Sequence, residues 1–352
     1  MKFPKLIAAI GVLFLPLGSC DPEGPSLENY KAKNVILFIG DGMGISTVTA
    51  GRIYAGQKLG QTGEEYVLPF ENFKYVALVK TYNTDAQVPD SAGNATAIHS
   101  GVKTKIGVLG VGPGVIKGDC KSGLANPLPL LGEQVKTRGL ALGIVSTARL
   151  THATPASVYA RSASRDWEAY VSDQTEDGVL CEDIATQLLR SRFDVALGGG
   201  WAPFLGESFG GVRREKSMDL TAEWVARTNG TYVSNRIEMQ EAPKDVPLLG
   251  LFSISHMDFM ADPGRDQDQP TLTQMTAEAI NRLENNPNGY YLMVEGGRID
   301  HGHHAGRAGY ALEEMVEFAN SIQFAIDNTD PEETLILVTA DHSHVFSIGG
   351  YP

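Results

Sequence analysis

Two short stretches of the sequence concentrate histidine and carboxylate side chains. The first is "EGGRIDHGHHAG" at 295–306 and the second is "TADHSH" at 339–344. Together they supply the candidate donors Glu295, Asp300, His301, His304, Asp341, His342 and His344. Asp300 and His304 are four positions apart, so one helical turn would place both on the same face. Mixed carboxylate and imidazole sets suit zinc, and the pattern therefore predicts a zinc site.

An oxygen-only donor set is also available, and such sets suit magnesium. Asp41 follows the apolar run "NVILFIG", and "LTHATP" carries His152 and Thr154. With Glu295, the Asp41 and Thr154 oxygens would make a magnesium site beside the zinc site. Each piece alone is more typical of a solvated loop or a helix cap than of a ligand set, so the prediction depends on their combination.

Ser91 is the candidate nucleophile. In "VPDSAGNATA" it stands just before a helix of small residues, where the field of the helix N-terminus favours an anionic oxygen or a phosphate. The Gly-x-Ser-x-Gly pattern is absent, so a metal would have to activate the serine. The alternative is an ordinary helix N-cap. Arg165 in "ARSASRDW" could hold two oxygens of a tetrahedral anion, although Arg161 is nearby and a surface ion pair is the simpler reading.

Five apolar, β-rich runs end in glycine, small polar, acidic or histidine residues, as strands of a parallel sheet covered on both faces do. They lie at 34–44, 142–149, 193–200, 289–297 and 333–342. Helical patterns fall between them, near 44–56, 92–101, 181–191, 272–285 and 308–326. This alternation predicts a three-layer α/β fold. The carboxyl ends of its strands share one edge, which would gather the distant candidate residues.

Residues 201–270 are punctuated by glycine and proline, and we expect an irregular insertion on the same domain. The chain has 352 residues, enough for one large α/β domain or two smaller ones. Its formal charge is −13, which makes nucleic acid an unsuitable partner. An anionic substrate remains compatible, because bound divalent metals reverse the local field.

The first twenty residues have the features of an export signal. Lys2 and Lys5 precede an apolar run at 6–17 that is too short to span a bilayer. The run ends in "LGSC", which resembles a lipobox with Cys20 as the lipidated residue; the alternative is a plain cleaved signal. Residues 21–32 would then be a tether. Cys120 and Cys181 remain, and an oxidising compartment favours a disulfide between them over two separate buried thiols.

Five motifs taken together resemble the alkaline phosphatase family, especially its animal-type branch. They are "NVILFIGDGMG", "VPDSAGNATA", "THATPASVYARSASRDW", "VEGGRIDHGHHAG" and "VTADHSHVFSIGGYP", in this order. The resemblance implies a three-layer α/β/α sandwich with a mostly parallel sheet, two Zn²⁺, one Mg²⁺, and hydrolysis of phosphate monoesters through a phosphoserine intermediate. It also implies a homodimer. The N-terminal export signal, for its part, predicts that the protein is exported and either periplasmic or lipid-anchored to the membrane.

The resemblance assigns a role to each candidate residue. Ser91 matches the nucleophile, Arg165 the phosphate-binding arginine, and the cysteine pair the family's disulfide. The matched metal ligands are Asp41, Ser91, Asp341 and His342 for one zinc, Asp300 and His304 for the other, and Asp41, Thr154 and Glu295 for magnesium. His152 would lie beside the magnesium, and His301 and His344 near the phosphate.

Two departures from the family pattern stand out. The family takes a further zinc-binding histidine, and its crown insertion, from beyond "GGYP", so we expect 33–352 to be an incomplete catalytic domain. In addition, 201–270 offers no convincing acidic ligands for the calcium of some animal-type members. The rival hypotheses are a phosphodiesterase or sulfatase of the same superfamily, although the sulfatase signature is absent, and an inactive metal-binding fragment.

Overall fold

The computed structural model describes residues 32–172 and 180–349, so the export signal, Cys20 and most of the predicted tether lie outside it. Within these ranges there are seven strands. They are β1 (Asn34–Gly40), β2 (Ala141–Arg149), β3 (Val195–Gly199), β4 (Thr231–Val233), β5 (Leu248–Leu251), β6 (Tyr290–Gly296) and β7 (Thr334–Ala340). Each of the five runs predicted as strands overlaps one of them.

The helices of the described residues alternate with these strands. They are α1 (Ile45–Lys58), α2 (Ser91–Ser100), α3 (Cys120–Ala125), α4 (Leu131–Thr137), α5 (Ala153–Ala156), α6 (Ile184–Arg190), α7 (Leu220–Thr228), α8 (Arg236–Glu241), α9 (Leu272–Leu283), α10 (Arg298–His304) and α11 (Ala308–Asp327). The five predicted helices correspond to α1, α2, α6, α9 and α11. None of the described helices is both long and apolar enough to cross a membrane.

The strands form one sheet in the order β4-β5-β3-β2-β6-β1-β7, and every neighbouring pair is parallel. Consecutive strands along the chain are therefore mostly joined by crossovers rather than hairpins. Strand β1 lies between β6 and β7, which come from the far end of the sequence. This arrangement confirms the predicted three-layer, parallel α/β fold and sets the carboxyl ends of β1, β6 and β7 side by side.

Both faces of the sheet are buried, and residues alternate between two hydrophobic clusters along each strand. In β1, Ile36 and Phe38 join the cluster that contains α9 and α11, whereas Leu37 and Ile39 face the opposite side. The second cluster includes residues of α4, α5, α6 and α7. Burial on both sides explains why the strands read as continuous apolar runs. Strand β7, at the sheet edge, is only partly buried.

The segment 201–270 is more regular than its sequence pattern suggested. It contains α7 and α8, and its two short strands β4 and β5 extend the sheet beyond β3. These strands have three and four residues. Because strands this short cannot show a clear period-two pattern, the sequence alone gave no reliable signal for them.

The cysteine pair is joined. Cys120 and Cys181 form a disulfide with their Cα atoms 5.8 Å apart. Around it, a small apolar cluster includes Val108, Val115 and Trp167. The bond therefore links the start of α3 to the chain just before α6, as the redox argument predicted.

Candidate metal centre and nucleophile

The candidate residues gather at the carboxyl ends of β1, β2, β6 and β7. Asp41 directly follows β1, and Asp341 and His342 directly follow β7. Glu295 is the second-last residue of β6, and α10 begins two residues after that strand. Residues about 300 positions apart thereby meet, because parallel strands end on one edge of the sheet.

Four of these side chains form what we call the inner donor set: Asp41, Ser91, Asp341 and His342. Ser91 Oγ lies 3.3 Å from Asp41 Oδ1 and 3.3 Å from His342 Nε2. His342 Nε2 lies 3.3 Å from Asp341 Oδ2 and 3.5 Å from Asp41 Oδ1. Zinc–ligand bonds of 2.0–2.2 Å in a tetrahedron separate the donor atoms by roughly 3.3 Å. The inner set therefore has the spacing of a zinc polyhedron.

Backbone contacts fix the inner set. Asp341 Oδ1 accepts from the backbone amides of Gly42, at 3.1 Å, and His342, at 2.7 Å. The backbone carbonyl of Asp341 accepts from Asn94 Nδ2 at 2.7 Å. Gly42 has a φ of +64°, and a Cβ there would lie 2.9 Å from Asp300 Oδ1. The glycine after Asp41 is thus required by both backbone conformation and space.

A second group, the outer donor set, consists of Asp300, His304 and His344. Asp300 and His304 lie one turn apart on α10, as their spacing predicted, with His304 Nε2 3.3 Å from Asp300 Oδ2. His344 Nε2 lies 3.5 Å from Asp300 Oδ1. Asp300 is buried, whereas the His304 side chain is 69% exposed. The outer set thus opens toward solvent.

The oxygen donors predicted for magnesium are also close together. Donor atoms of Asp41, His152 and Glu295 lie within 4.8 Å of one another. Glu295 Oε2 accepts a short hydrogen bond from Ser146 Oγ, which orients the carboxylate. Its other oxygen, Oε1, and Thr154 Oγ1 are buried without a well-formed hydrogen bond, although the Thr154 hydroxyl lies near enough to lower the pKa of Glu295. Poorly partnered buried oxygens are costly, and a hard cation would satisfy both.

Burial and mutual repulsion raise the pKa values of these carboxyl groups. Asp41 has a pKa well above its ordinary value, mainly because it is buried and then because Asp341 and Asp300 are near. Burial likewise raises the pKa of Glu295 to about 7, with the same two aspartates contributing. The pKa of Asp300 is also raised, again mainly because the carboxyl group is buried. A bound cation would stabilise the charged form of such a cluster of buried carboxylates.

Ser91 is the first residue of α2, and Asp90 caps that helix. Asp90 Oδ1 accepts from the amide of Gly93 at 3.0 Å, and Oδ2 accepts from Arg165 Nη1 at 3.1 Å. Arg165 Nη2 also contacts His152 Nε2 at 2.9 Å. The cap of the Ser91 helix therefore also holds the predicted phosphate-binding arginine.

The competing arginine is not part of this arrangement. Arg161 forms a two-pronged ion pair with Glu133, and its Nε donates to the carbonyl of Leu128. Its guanidinium lines a different cavity, together with Lys136 and Arg190. Only Arg165 of the two arginines thus contacts the cap of the Ser91 helix.

Sequence reasoning missed His256, which lies close to two predicted residues. Its ring centroid is 4.1 Å from that of His301 and 5.2 Å from that of His152. Arg149 Nη1 contacts His256 Nε2 at 2.6 Å, while Glu168 holds the rest of the Arg149 guanidinium. Burial lowers the pKa of His256 to about 2 and that of His301 to about 3. Both rings are therefore neutral. No local sequence signal was available, because the run "LLGL" that precedes His256 is too short to be identified as a strand.

The site opens into a cavity of about 850 Å³. Ser91, Arg165 and the imidazoles of both donor sets all line this cavity. Its lining includes Asp90, Ser91, His152, Arg165, Asp300, His301, His304, His342 and His344. The cavity can therefore present a serine oxygen, a guanidinium and both donor sets to one small anion.

Unpartnered polar atoms test whether these residues fit metals. Among the described residues, Asp300 Oδ1, Asp341 Oδ2 and His344 Nδ1 are buried without a hydrogen bond. The inner and outer sets each bring at least three carboxylate or imidazole donors within 4.8 Å of one another. Nitrogen and oxygen donors at this spacing fit zinc, and the Glu295 and Thr154 oxygens fit magnesium.

Comparison with known proteins agrees with this geometry. Residues 32–352 match the family model described as alkaline phosphatase. The chain is 45% identical over 346 residues to the tissue-nonspecific alkaline phosphatase isozyme of Gallus gallus, covering 92% of this chain and 66% of that protein. It therefore spans about two thirds of the length of this relative.

Two solved structures extend the comparison. The Thermus thermophilus alkaline phosphatase superposes with a TM-score of 0.74 at 28% identity, over 94% of this chain and 64% of that one. A histidine-to-aspartate mutant of the alkaline phosphatase from the Antarctic bacterium TAB5, with magnesium bound, has a TM-score of 0.70 at 26% identity, over 90% and 80%. With the family model matching nearly the whole chain, this protein belongs to the alkaline phosphatase family.

Proposed function

We propose that the chain hydrolyses phosphate monoesters through a phosphoserine formed on Ser91, at a site for two Zn²⁺ and one Mg²⁺. The observation that carries this proposal is the position of Ser91 Oγ, 3.3 Å from both Asp41 Oδ1 and His342 Nε2, at the wall of the cavity. A serine among metal-type donors, with an arginine beside its helix cap, suits attack on a tetrahedral anion.

The metals would supply Lewis acidity toward phosphoryl oxygens and would lower the pKa of an oxygen bound to them. Asp41, Asp341 and His342 would hold the zinc next to Ser91, and Asp300 and His304 the other zinc. Asp41, Thr154 and Glu295 would hold magnesium, with His152 beside it. These assignments are supported by the donor spacing and by the unpartnered oxygens.

The chain's own residues orient the reacting groups. The ten-residue helix α2 directs its N-terminal amides and dipole toward Ser91, which favours a phosphate and an anionic serine oxygen there. Asp90 and His152 hold Arg165 from two sides, so the guanidinium is pre-positioned to bind two phosphate oxygens. His301, a neutral imidazole on the cavity wall, can contact the bound phosphate without adding charge.

Substitution of the nucleophile tests the proposal. Ser91→Ala should lower the kcat for an aryl phosphate monoester by on the order of 10⁴-fold or more, because covalent catalysis is lost. Ser100→Ala is the matched control, since Ser100 ends the same helix and its Oγ bonds, among the described residues, only to backbone groups of Thr96 and Val102. Its activity should stay within about threefold of wild type. Near wild-type turnover by the Ser91→Ala protein would refute the proposal.

The reaction class is tested separately by substrate comparison. Wild-type protein should hydrolyse an aryl phosphate monoester far faster than the matching phosphate diester or sulfate ester. A preference for the diester or the sulfate would move the protein to another branch of the superfamily. Metal binding without any turnover would favour the inactive metal-binding alternative.

We also propose that the protein is exported, with Cys20 as a lipid anchor if the "LGSC" motif is processed as a lipobox. The basic and apolar N-terminal segment and the disulfide between Cys120 and Cys181 support this proposal. Fractionation of cells that express wild-type and Cys20→Ala chains tests it. Loss of the membrane-bound form only in the variant is the expected result. A homodimer is proposed from the family resemblance alone.

A further inference from the structure

Arg298, the first residue of α10, contacts the ring of His301 one turn later on the same helix. Its Nη1 lies 3.1 Å from His301 Nδ1. A guanidinium has N–H donors and no acceptor, so this hydrogen bond can only run from Arg298 to His301. His301 Nδ1 therefore carries the lone pair of the ring, and the ring proton lies on Nε2.

The Nε2–H group of His301 is the one left for a ligand. His301 lines the cavity that also contains Ser91 and Arg165. Within residues 32–172 and 180–349, the ring is hydrogen-bonded through Nδ1 alone, and Nε2 is not among the buried atoms that lack a partner. His301 Nε2–H is thus an accessible donor at the cavity.

Packing holds the Arg298 guanidinium in place against His301. Its Cζ lies 3.6 Å from the ring centroid of Phe259, a cation–π distance. Phe259 is itself packed edge-on against Tyr310, with ring centroids 5.0 Å apart. The buried carboxyl group of Glu314 also attracts the guanidinium. Arg298 is therefore a fixed donor, which favours one orientation and one tautomer of the imidazole beside it.

A second imidazole packs against the His301 ring. The ring centroid of His256 lies 4.1 Å from that of His301, and Arg149 Nη1 contacts His256 Nε2 at 2.6 Å. The His152 ring is the next neighbour, with its centroid 5.5 Å from that of His301. His301 is thus confined both at Nδ1 and at its ring faces or edges, while Nε2 remains available.

We infer that Arg298 is a positioning residue for phosphate binding: it holds His301 as the Nε2–H tautomer, whose N–H donates to an oxygen of the bound phosphate. The inference rests on the proposed function, which gives His301 only a contact with that phosphate. An N–H directed at a phosphate oxygen makes a charge-assisted hydrogen bond. In the other tautomer, Nε2 would present a lone pair to the anion and repel it.

NMR of the full chain with isotopically labelled histidine measures the tautomer directly. Long-range correlations between ring carbon-bound protons and ring nitrogens distinguish a protonated nitrogen from a bare one. The signals that disappear in His301→Ala belong to His301. We expect its proton on Nε2 at neutral pH. A proton on Nδ1 in the wild-type protein would overturn the inference, and this readout needs no Arg298 variant to fold.

Calorimetric titration with inorganic phosphate, in the full chain supplied with Zn²⁺ and Mg²⁺, measures the consequence for binding. Arg298→Met keeps the apolar stem of the side chain but removes its donors. It should raise the dissociation constant of phosphate about tenfold, as loss of one hydrogen bond to a charged group does. Arg307→Met is the matched control, because its exposed guanidinium also lies over an aromatic ring, 4.9 Å from that of Tyr310. Its dissociation constant should change by less than about twofold.

A double-mutant cycle separates positioning through His301 from a direct effect of the arginine. In the His301→Ala background, Arg298→Met should weaken phosphate binding by less than about twofold. A further tenfold loss in that background would overturn the inference, because Arg298 would then act on the phosphate or on the fold directly. A wild-type chain that binds phosphate but does not hydrolyse an aryl phosphate would overturn the proposed function and leave the inference intact. A wild-type chain that binds no phosphate would overturn both.

Discussion

The inner and outer donor sets contain similar residues but are built in different ways. The inner set joins the ends of β1 and β7 to the start of α2, and Asp41, Asp341 and Ser91 are all buried. The outer set takes Asp300 and His304 from one turn of α10, and His304 is largely exposed. Asp341 accepts two backbone amide hydrogen bonds, whereas Asp300 Oδ1 accepts none.

This difference indicates a division between a rigid site and an accessible one. The inner set is positioned by the sheet, and its carboxylates are almost fully buried, so they repel each other strongly when no cation is present. The outer set depends on local contacts and faces solvent, so it can exchange ligands more readily. Rigidity suits a site that holds a nucleophile. Solvent access suits a site from which an alcohol departs and which water enters.

The largest effect should follow removal of the carboxylate at the centre of the inner set. Asp41→Asn should lower kcat for an aryl phosphate by on the order of 10³-fold or more, because Asp41 is proposed to bridge zinc and magnesium. The metal-free variant should nevertheless melt at a higher temperature than metal-free wild type, since one of several buried like charges is gone.

Activity assays and thermal melts in the presence of chelator check both halves of this prediction. Asp327→Asn is the matched control, because Asp327 is exposed at the end of α11 and bonds only to Gln323. It loses the same formal charge but should change neither activity nor melting temperature appreciably. A metal-free Asp41→Asn protein that is less stable than wild type would contradict the picture of a repulsive inner set.

Metal removal should also distinguish the two donor sets, with a smaller effect than the Asp41→Asn substitution has on kcat. The inner set has hydrogen-bonded supports for its ligands, and such supports commonly contribute 10–100-fold to metal affinity. The outer set lacks such a support at Asp300 Oδ1. We therefore expect a chelator titration to release one Zn²⁺ at about tenfold lower chelator concentration, and His304→Ala to advance only that first step. A single step for both ions would show that the sets are equivalent.

The smallest effect concerns pH and Glu295. Burial raises its pKa from 4.5 to about 7, so the folded, metal-free protein favours the protonated form. The associated stability is present below the unfolded-state pKa and is lost as pH rises from about 4.5 to about 7. The Glu295→Gln variant has no carboxyl group to titrate at this position, so it does not lose this stability as pH rises. The melting temperature of the variant minus that of wild type should rise across this window by a few degrees.

Subtracting the wild-type melting temperature cancels the contribution of the histidines, because they titrate in both proteins. Thermal melts with chelator across the window provide the measurement. Glu284→Gln is the control, since Glu284 is exposed at the end of α9. A difference that stays flat with pH for Glu295→Gln would mean that Glu295 is not held in a proton-binding environment, and would weaken the magnesium assignment.

The sequence was most informative where a buried strand ended in an acid or a histidine. Asp41, Glu295, Asp341 and His342 were placed on one edge because apolar runs precede them, and the structure brings them together. Asp300 and His304 followed from helical spacing. In these places local pattern and global fold agree, so sequence reasoning succeeds.

Other features depended on contacts that no local pattern encodes. The position of β1 between β6 and β7 is a property of the folded sheet, and so is the approach of His256 to His301. Strands β4 and β5 are too short for periodicity to reveal. The 3.5 Å approach of His344 Nε2 to Asp300 depends on the loop after β7 and on stacking with His303.

The central place of β1 has a consequence for biosynthesis. Residues 34–40 are among the first of the fold to be translated, yet their hydrogen-bonding neighbours are β6 and β7, which end at Gly296 and Ala340. The apolar segment "NVILFIG" therefore remains without its first sheet neighbour until the chain has reached Gly296, and without its second until Ala340. Such a segment is a hazard for aggregation during synthesis and transport. Folding of the nascent chain should accordingly depend on protection of its first strand, and the proposed metal site at Asp41 would be completed only after β7 has been made.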